Sequence, residues 1–142
     1  MNYEVTLGRQ TGVLYYLLSR RLNGLLAEAG TGITIDQFRL LTMLWKEDGI
    51  TQQQLAAQLG RDRASVTRMT DILEEQGIVT RIADKNDRRI NLLYLTKKGR
   101  DLEPAAAECA RQALDQMTKN FTEAEEAAFS QLLQRAIENL KG

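Results

Sequence analysis

Nine residues in two short stretches carry the groups that can read a base edge or grip a phosphate. The first stretch holds Arg61, Arg63, Ala64, Ser65, Thr67 and Arg68, and the second holds Asp87, Arg88 and Arg89. An arginine guanidinium can make paired hydrogen bonds to guanine O6 and N7. Threonine offers a hydroxyl, or a methyl group to thymine, and alanine lets the backbone come close. The local charge suits a polyanion. Residues 61–99 hold nine Lys and Arg against six Asp and Glu, residues 100–142 hold five against eight, and residues 1–60 balance at five each. The whole chain balances at 19 of each sign, so the basic excess is a local field and not a bulk property.

The helical period supplies the scaffold for these groups. Leu14, Leu18, Leu22 and Leu25 fall on one stripe, which predicts an amphipathic first helix from about residue 9 to 28, ended by Gly30 and Gly32. Thr34 with Gln37 is a capping-box pattern that opens a second helix, with Phe38, Leu41 and Leu44 facing inward. Thr51 with Gln54 repeats it for a third, with Leu55, Ala56 and Leu59 inward and Gly60 as terminator. A fourth helix follows over residues 61–77. Val66, Met69, Thr70 and Leu73 cluster on the side that packs against the third helix. Ala64, Thr67, Arg68 and Asp71 lie opposite, with Arg61 and Arg63 at its start and Ser65 on the flank. Two β-prone runs, Ile78 to Ala83 and Ile90 to Leu95, enclose the turn-forming DKNDRR. A helix beginning near Thr96 is expected to kink at Pro104 and run on to about Asn120. Thr122 with Glu125 opens a last helix, whose apolar stripe is Phe129, Leu132, Leu133, Ala136, Ile137 and Leu140.

A short helix, a longer one with a polar and basic outer face, and a hairpin with arginines at its return form one pattern. The fold class is mainly α with a small β-hairpin wing, a winged helix-turn-helix. In such an arrangement residues 61–68 enter the major groove, and Asp71, Glu74 and Glu75 stay outside. A basic arm beside the helix can insert arginine into the narrow minor groove. The helix face also fits an ordinary solvated surface, and the hairpin tip a turn in which Asp87 pairs with a neighbour.

Composition closes off other classes. Cys109 stands alone and histidine is absent. An internal disulfide, a Ser-His-Asp triad and a histidine-bearing zinc site are therefore excluded, and a reducing cytosol fits. No nucleophile–base pair, phosphate-cradling glycine loop or metal cluster is legible, so neither an enzyme nor a cofactor or metal is expected. Glu123, Glu125 and Glu126 are helix N-terminal charges and not a catalytic pair. The segment MNYEVTLGRQ lacks the order of a secretory signal. The longest apolar run, Val13 to Leu18, is far short of the roughly 20 residues that span a bilayer. A soluble, cytoplasmic protein with no membrane contact is expected.

The stretch DRRINLLYLTKKG (87–99) resembles the signature of the MarR (multiple-antibiotic-resistance regulator) family: D-x-R, a short strand, then L-T-x-x-G. The match is carried by Asp87, Arg89, Leu95, Thr96 and Gly99. SVTRMTDILEEQGIVTR resembles the family's recognition helix and its exit into the wing, and helix order fits over essentially the whole chain. The resemblance implies one domain over residues 1–142, with 1–30 and 100–142 as dimerisation helices and 34–99 as the winged helix-turn-helix. It implies a sequence-specific transcriptional regulator, a homodimeric repressor on a pseudo-palindromic operator of double-stranded DNA. Val13, Leu14, Leu17 and Leu18 at one end, with the last helix's stripe at the other, are then the dimer interface. Arg89 becomes the minor-groove residue, Asp87 the residue that holds it, and Arg88 a phosphate contact.

Many members are released from DNA by small, often phenolic, anionic effectors bound between the dimerisation and DNA-binding regions. Tyr15, Tyr16, Arg20, Phe38 and Trp45 are the candidates to line such a pocket, although aromatics at helical spacing also fit plain packing or surface. A peroxide-sensing branch uses a cysteine near the start of the first helix, where this chain has none; Cys109 among alanines reads as a small buried residue. Zinc-sensing members use histidine. Both departures point to an organic effector, or to a regulator that answers some other signal. A protein-interaction module whose basic wing meets an acidic partner is the alternative binding class, and it predicts salt-sensitive DNA binding without sequence preference.

Overall fold

Among the described residues, every helix but the sixth begins where a side chain accepts one of its orphan N–H groups. In the computed structural model, described over residues 6–142, Thr6 accepts from the Arg9 N–H and opens α1 (Leu7–Glu28). Residues 1–5, part of the expected 1–30 segment and of the stretch MNYEVTLGRQ, lie outside the described residues. Thr34 opens α2 (Ile35–Lys46), Thr51 opens α3 (Gln52–Leu59) and Thr122 opens α7 (Glu123–Lys141). In all three the reciprocal bond is made as well, from the capping residue's N–H to the Gln or Glu side chain at 2.9 Å. Gly60 ends α3 at φ +64°, a conformation that costs glycine little. Asp62 then caps α4 (Arg63–Glu75), so Arg61 and Asp62 precede the helix they were expected to begin.

The strands β2 (Val79–Ala83) and β3 (Asn91–Leu95) pair antiparallel, with Val79 opposite Leu95 and Ala83 opposite Asn91. A two-residue strand the sequence did not suggest, β1 (Ile50–Thr51), pairs with β3 through Ile50 and Leu93, giving the order β1-β3-β2. The core lies between this sheet and α1 to α4. Leu26, Leu40, Leu41, Leu44, Leu55, Val66, Leu73, Ile78 and Leu93 are fully buried there. Thr70 is buried with them, its hydroxyl donating to the Val66 carbonyl at 2.7 Å.

Beyond β3 the expectation of one kinked helix is corrected. A short α5 (Lys97–Asp101) stops, and after Leu102 a separate α6 (Glu103–Met117) starts with Pro104 in its first turn. A proline there forfeits no intrahelical bond, since first-turn N–H groups have no partner within the helix. The chain therefore breaks and restarts before Pro104, and α6 ends three residues ahead of Asn120, which adopts φ +69°.

The L-T-x-x-G run forms the joint between wing and helices. The Thr96 hydroxyl lies 2.6 Å from the Gly77 carbonyl and 3.1 Å from that of Ile78, and it accepts from the Gly99 N–H. Gly99 packs so closely that a Cβ would meet the Ile78 carbonyl oxygen at 2.2 Å. Its own carbonyl accepts from the Trp45 indole at 3.0 Å. Past this joint α6 returns along α1, burying Ala106, Cys109 and Ala113. Helix α7 buries none of its residues. Among the described residues no helix is long and apolar enough to cross a membrane.

Candidate nucleic-acid interface

Asp62 fixes the start of the reading helix. Its carboxylate accepts from the Ser65 N–H at 2.8 Å and the Ser65 hydroxyl at 3.0 Å. These two bonds, the backbone one first, hold its pKa below the ordinary carboxylate value. Behind this cap α4 presents Arg63, Ala64, Thr67 and Arg68 to solvent with Ser65 half-buried among them. Arg68 donates to the Ser65 hydroxyl at 3.2 Å. The Thr67 hydroxyl donates to the Arg63 carbonyl at 2.8 Å and accepts from the Gln52 amide at 3.2 Å. Val66, Thr70 and Leu73 anchor the opposite face.

Arg61 is placed differently from its neighbours. Its guanidinium donates to Asp36 on α2 at 2.8 Å, beside Tyr15 and Arg39. That pair draws Arg61 toward α2, with 42% of its side chain still exposed.

The wing is built around Asp87. The Asp84 N–H donates to the Ile90 carbonyl at 2.9 Å to close the hairpin. Asp87 accepts from the Arg89 backbone N–H at 3.1 Å, from Nε at 3.0 Å and from Nη2 at 3.1 Å. The Arg89 side chain, and secondly its backbone N–H, lowers the Asp87 pKa. Arg89 nevertheless remains 91% exposed, a guanidinium braced at its base and free to meet a partner. Arg88 is exposed and has no ion pair among the described residues.

Between α4 and the wing lies an open cleft of about 360 Å³, whose lining includes Arg63, Thr67 and Arg89 together with Gln52, Arg81 and Asn91, which sequence reasoning passed over. A signal for Arg81 existed. Strand alternation from buried Val79 turns Arg81 to the inner face, opposite buried Leu93, and an inward arginine demands acidic partners. They are Asp71 and Glu74 of α4.

The five effector candidates are not brought together. Phe38 and Trp45 meet edge to face, centroids 6.0 Å apart, on the wall of an open cavity of about 500 Å³ shared by α2 and α6. Tyr15 lines a separate cavity of about 240 Å³, where Arg39 donates to its hydroxyl at 2.6 Å and stacks 4.8 Å from its ring centroid. Tyr16 and Arg20 are exposed and line neither.

A capped helix offering Arg, Thr and Ser at its N-terminal end, set beside a hairpin with a braced arginine, defines the class: a winged helix-turn-helix DNA-binding protein. Comparison with known proteins narrows it. The MarR family model matches residues 33–90. The chain is 32% identical to the HTH-type transcriptional regulator YdgJ of Bacillus subtilis, over 90% of this chain and 79% of the relative. It is also 32% identical to the multiple antibiotic resistance protein MarR of Escherichia coli, over 96% and 94%. Its fold matches a MarR transcriptional regulator from Methanosarcina mazei with a TM-score of 0.87 at 29% identity, covering 93% and 94% of the two chains. It matches a mutant E. coli MarR complexed with operator DNA with a TM-score of 0.85 at 31% identity, covering 95% and 96%. The chain belongs to the MarR family and is a DNA-binding transcriptional regulator.

Proposed function

We propose that the protein is a homodimeric repressor that holds a pseudo-palindromic operator and lets it go on binding a small organic effector, phenolic in type. The observation that carries this is the uncovered apolar face beside the DNA-reading lobe. Helix α7 has 19 residues and none is buried; Leu132, Ile137 and Leu140 are 60%, 47% and 90% exposed. Helices gain most of their stability from packing an apolar face, so such a stripe needs a partner. The outer half of α1 adds exposed Val13 and Leu17 to the same need. A second copy meeting both helices would set two α4 helices about one DNA turn, roughly 34–36 Å, apart.

Within each half-site, Arg63, Ala64, Ser65, Thr67 and Arg68 read the major groove. Arg89, held by Asp87, enters the minor groove, and Arg88 meets phosphate. Arg61 joins them from the edge of α2, through the part of its guanidinium that Asp36 leaves exposed. The effector would act at the seam between the two regions, where Phe38 and Trp45 of α2 face α6. A ligand there releases DNA only by favouring the dimer whose α4 helices are wrongly spaced.

Fluorescence anisotropy tests the reading, comparing the upstream intergenic DNA with scrambled duplex at two salt concentrations. A repressor holds the first with an advantage of about 10³ or more. Equal, weak affinity that collapses with salt would leave only the phosphate term and count against this function.

A further inference from the structure

We propose that Arg81 is a positioning residue for DNA reading: without touching a base, it sets the angle between α4 and the wing and thereby the selectivity of both. Its guanidinium has five N–H donors, and its Nε and both Nη nitrogens are engaged within the protein. Nε donates to the Gln52 side chain at 3.1 Å, Nη1 to Glu74 at 3.2 Å and Nη2 to the Thr67 carbonyl at 3.2 Å, while Nη2 also forms an ion pair with Asp71 at 2.6 Å. The Arg81 backbone N–H donates to the second Glu74 oxygen at 3.1 Å. Only 17% of the side chain is exposed, so little is left over for a nucleic acid.

The three α4 partners, Thr67, Asp71 and Glu74, stand at i, i+4 and i+7, one stripe of the helix facing the wing. Gln52 closes the circuit by donating to the Thr67 hydroxyl, so one guanidinium ties α3, α4 and β2 together around a base-reading side chain. The far end of the same hairpin carries Arg89. A small rotation of β2 against α4 is therefore levered to the tip, where hydrogen bonds to bases tolerate only a few tenths of an ångström. This inference rests on α4 and the wing being the DNA-reading elements.

The sharpest test is Asp71→Asn, because positioning lowers the selectivity ratio and simple electrostatics leaves it unchanged. Removing a negative charge beside a polyanion tightens binding to any duplex. If Arg81 positions the elements, loosening its shortest contact lowers the ratio of affinities for a duplex selected from a random-sequence pool over random duplex. A fall of about fivefold or more is expected, even as random binding stays level or tightens. A ratio unchanged from the parent overturns the proposal. Arg81→Met supplies a second arm: its loss of selectivity should be coupled to that of Arg89→Ala, the double variant losing less than the product of the two. Independent, multiplying losses also overturn it. Should Arg81→Met fail to fold, Asp71→Asn decides alone. A parent that shows no selectivity on any selected duplex refutes the assignment of α4 and the wing, and this proposal with it.

Discussion

At the scale of single residues, Arg89 shows how a side chain can be both fixed and available. Two guanidinium bonds and one backbone bond to Asp87 hold its base, while the rest stays in solvent. Arg89→Ala should weaken operator binding roughly ten- to hundredfold, with Arg89→Lys recovering little because an ammonium lacks the planar fork. Anisotropy on the operator reads both. The pair also sets a pH expectation. The folded pKa of Asp87 is depressed, so its contribution is complete above the ordinary carboxylate value and fades only as pH falls through the lowered one. With no histidine in the chain, operator affinity at fixed ionic strength should stay flat from about pH 6 to about pH 8. A titration within that window would show that another group controls the interface. Cys109 lies outside this chemistry. Burial first, and then the nearby Glu108 charge, raises its thiol pKa, and Sγ sits 3.4 Å from the Leu25 carbonyl. Thiol reagents should label the native protein slowly, and hydroperoxide should leave DNA affinity unchanged; rapid labelling without unfolding would contradict its burial.

Elements differ in how far their positions follow from neighbouring residues. The three capping boxes were legible because Thr34 with Gln37, Thr51 with Gln54, and Thr122 with Glu125 each close a bond over three residues. The wing was legible from alternation and turn formers. What escaped depended on distant partners. The strand β1 is two residues long and exists through β3, some forty residues on. The Arg81 circuit needs Gln52 from one helix and Asp71 from another. Phe38 and Tyr15 fall in separate cavities because α6 and the α3–α4 turn supply the other walls. Pro104 departs from the expected kink for a local reason: a proline suits the first turn of a new helix better than the middle of an old one. The joint beneath the wing gives a paired prediction. Gly99→Ala drives a Cβ into the Ile78 carbonyl, and backbone must move, costing about 3 kcal/mol. Gly24→Ala, inside α1 with nothing within 4 Å of its Cβ, should instead gain roughly 0.5–1 kcal/mol from helix propensity. Urea denaturation of both variants checks the pair, and equal effects of one sign would mean the joint is looser than its geometry.

For the whole molecule the question is what the apolar faces of α1 and α7 do for DNA reading. One α4 helix and one wing can engage only a half-site, and a single half-site holds little of the advantage that a repressor needs over the rest of a genome. Joining two such lobes makes the second contact intramolecular, and its effective concentration multiplies the affinity only if both half-sites face the same side of the duplex. Two consequences can be separated. Replacing Leu133 and Ile137 together by aspartate places charges in the stripe without touching the core under the wing, since neither side chain is buried in its own chain. Sedimentation should then find a monomer with its secondary structure largely kept, and operator affinity should fall by about a hundredfold or more, to that of one half-site. Inserting about five base pairs between the half-sites turns them half a helical turn apart, and the proposed dimer should drop to the same floor. The two losses should not multiply: the aspartate variant, already limited to one half-site, should bind the parent and lengthened operators equally. If it still distinguishes them, the two lobes are coupled through something other than α1 and α7, and the dimer face assigned here is the wrong one.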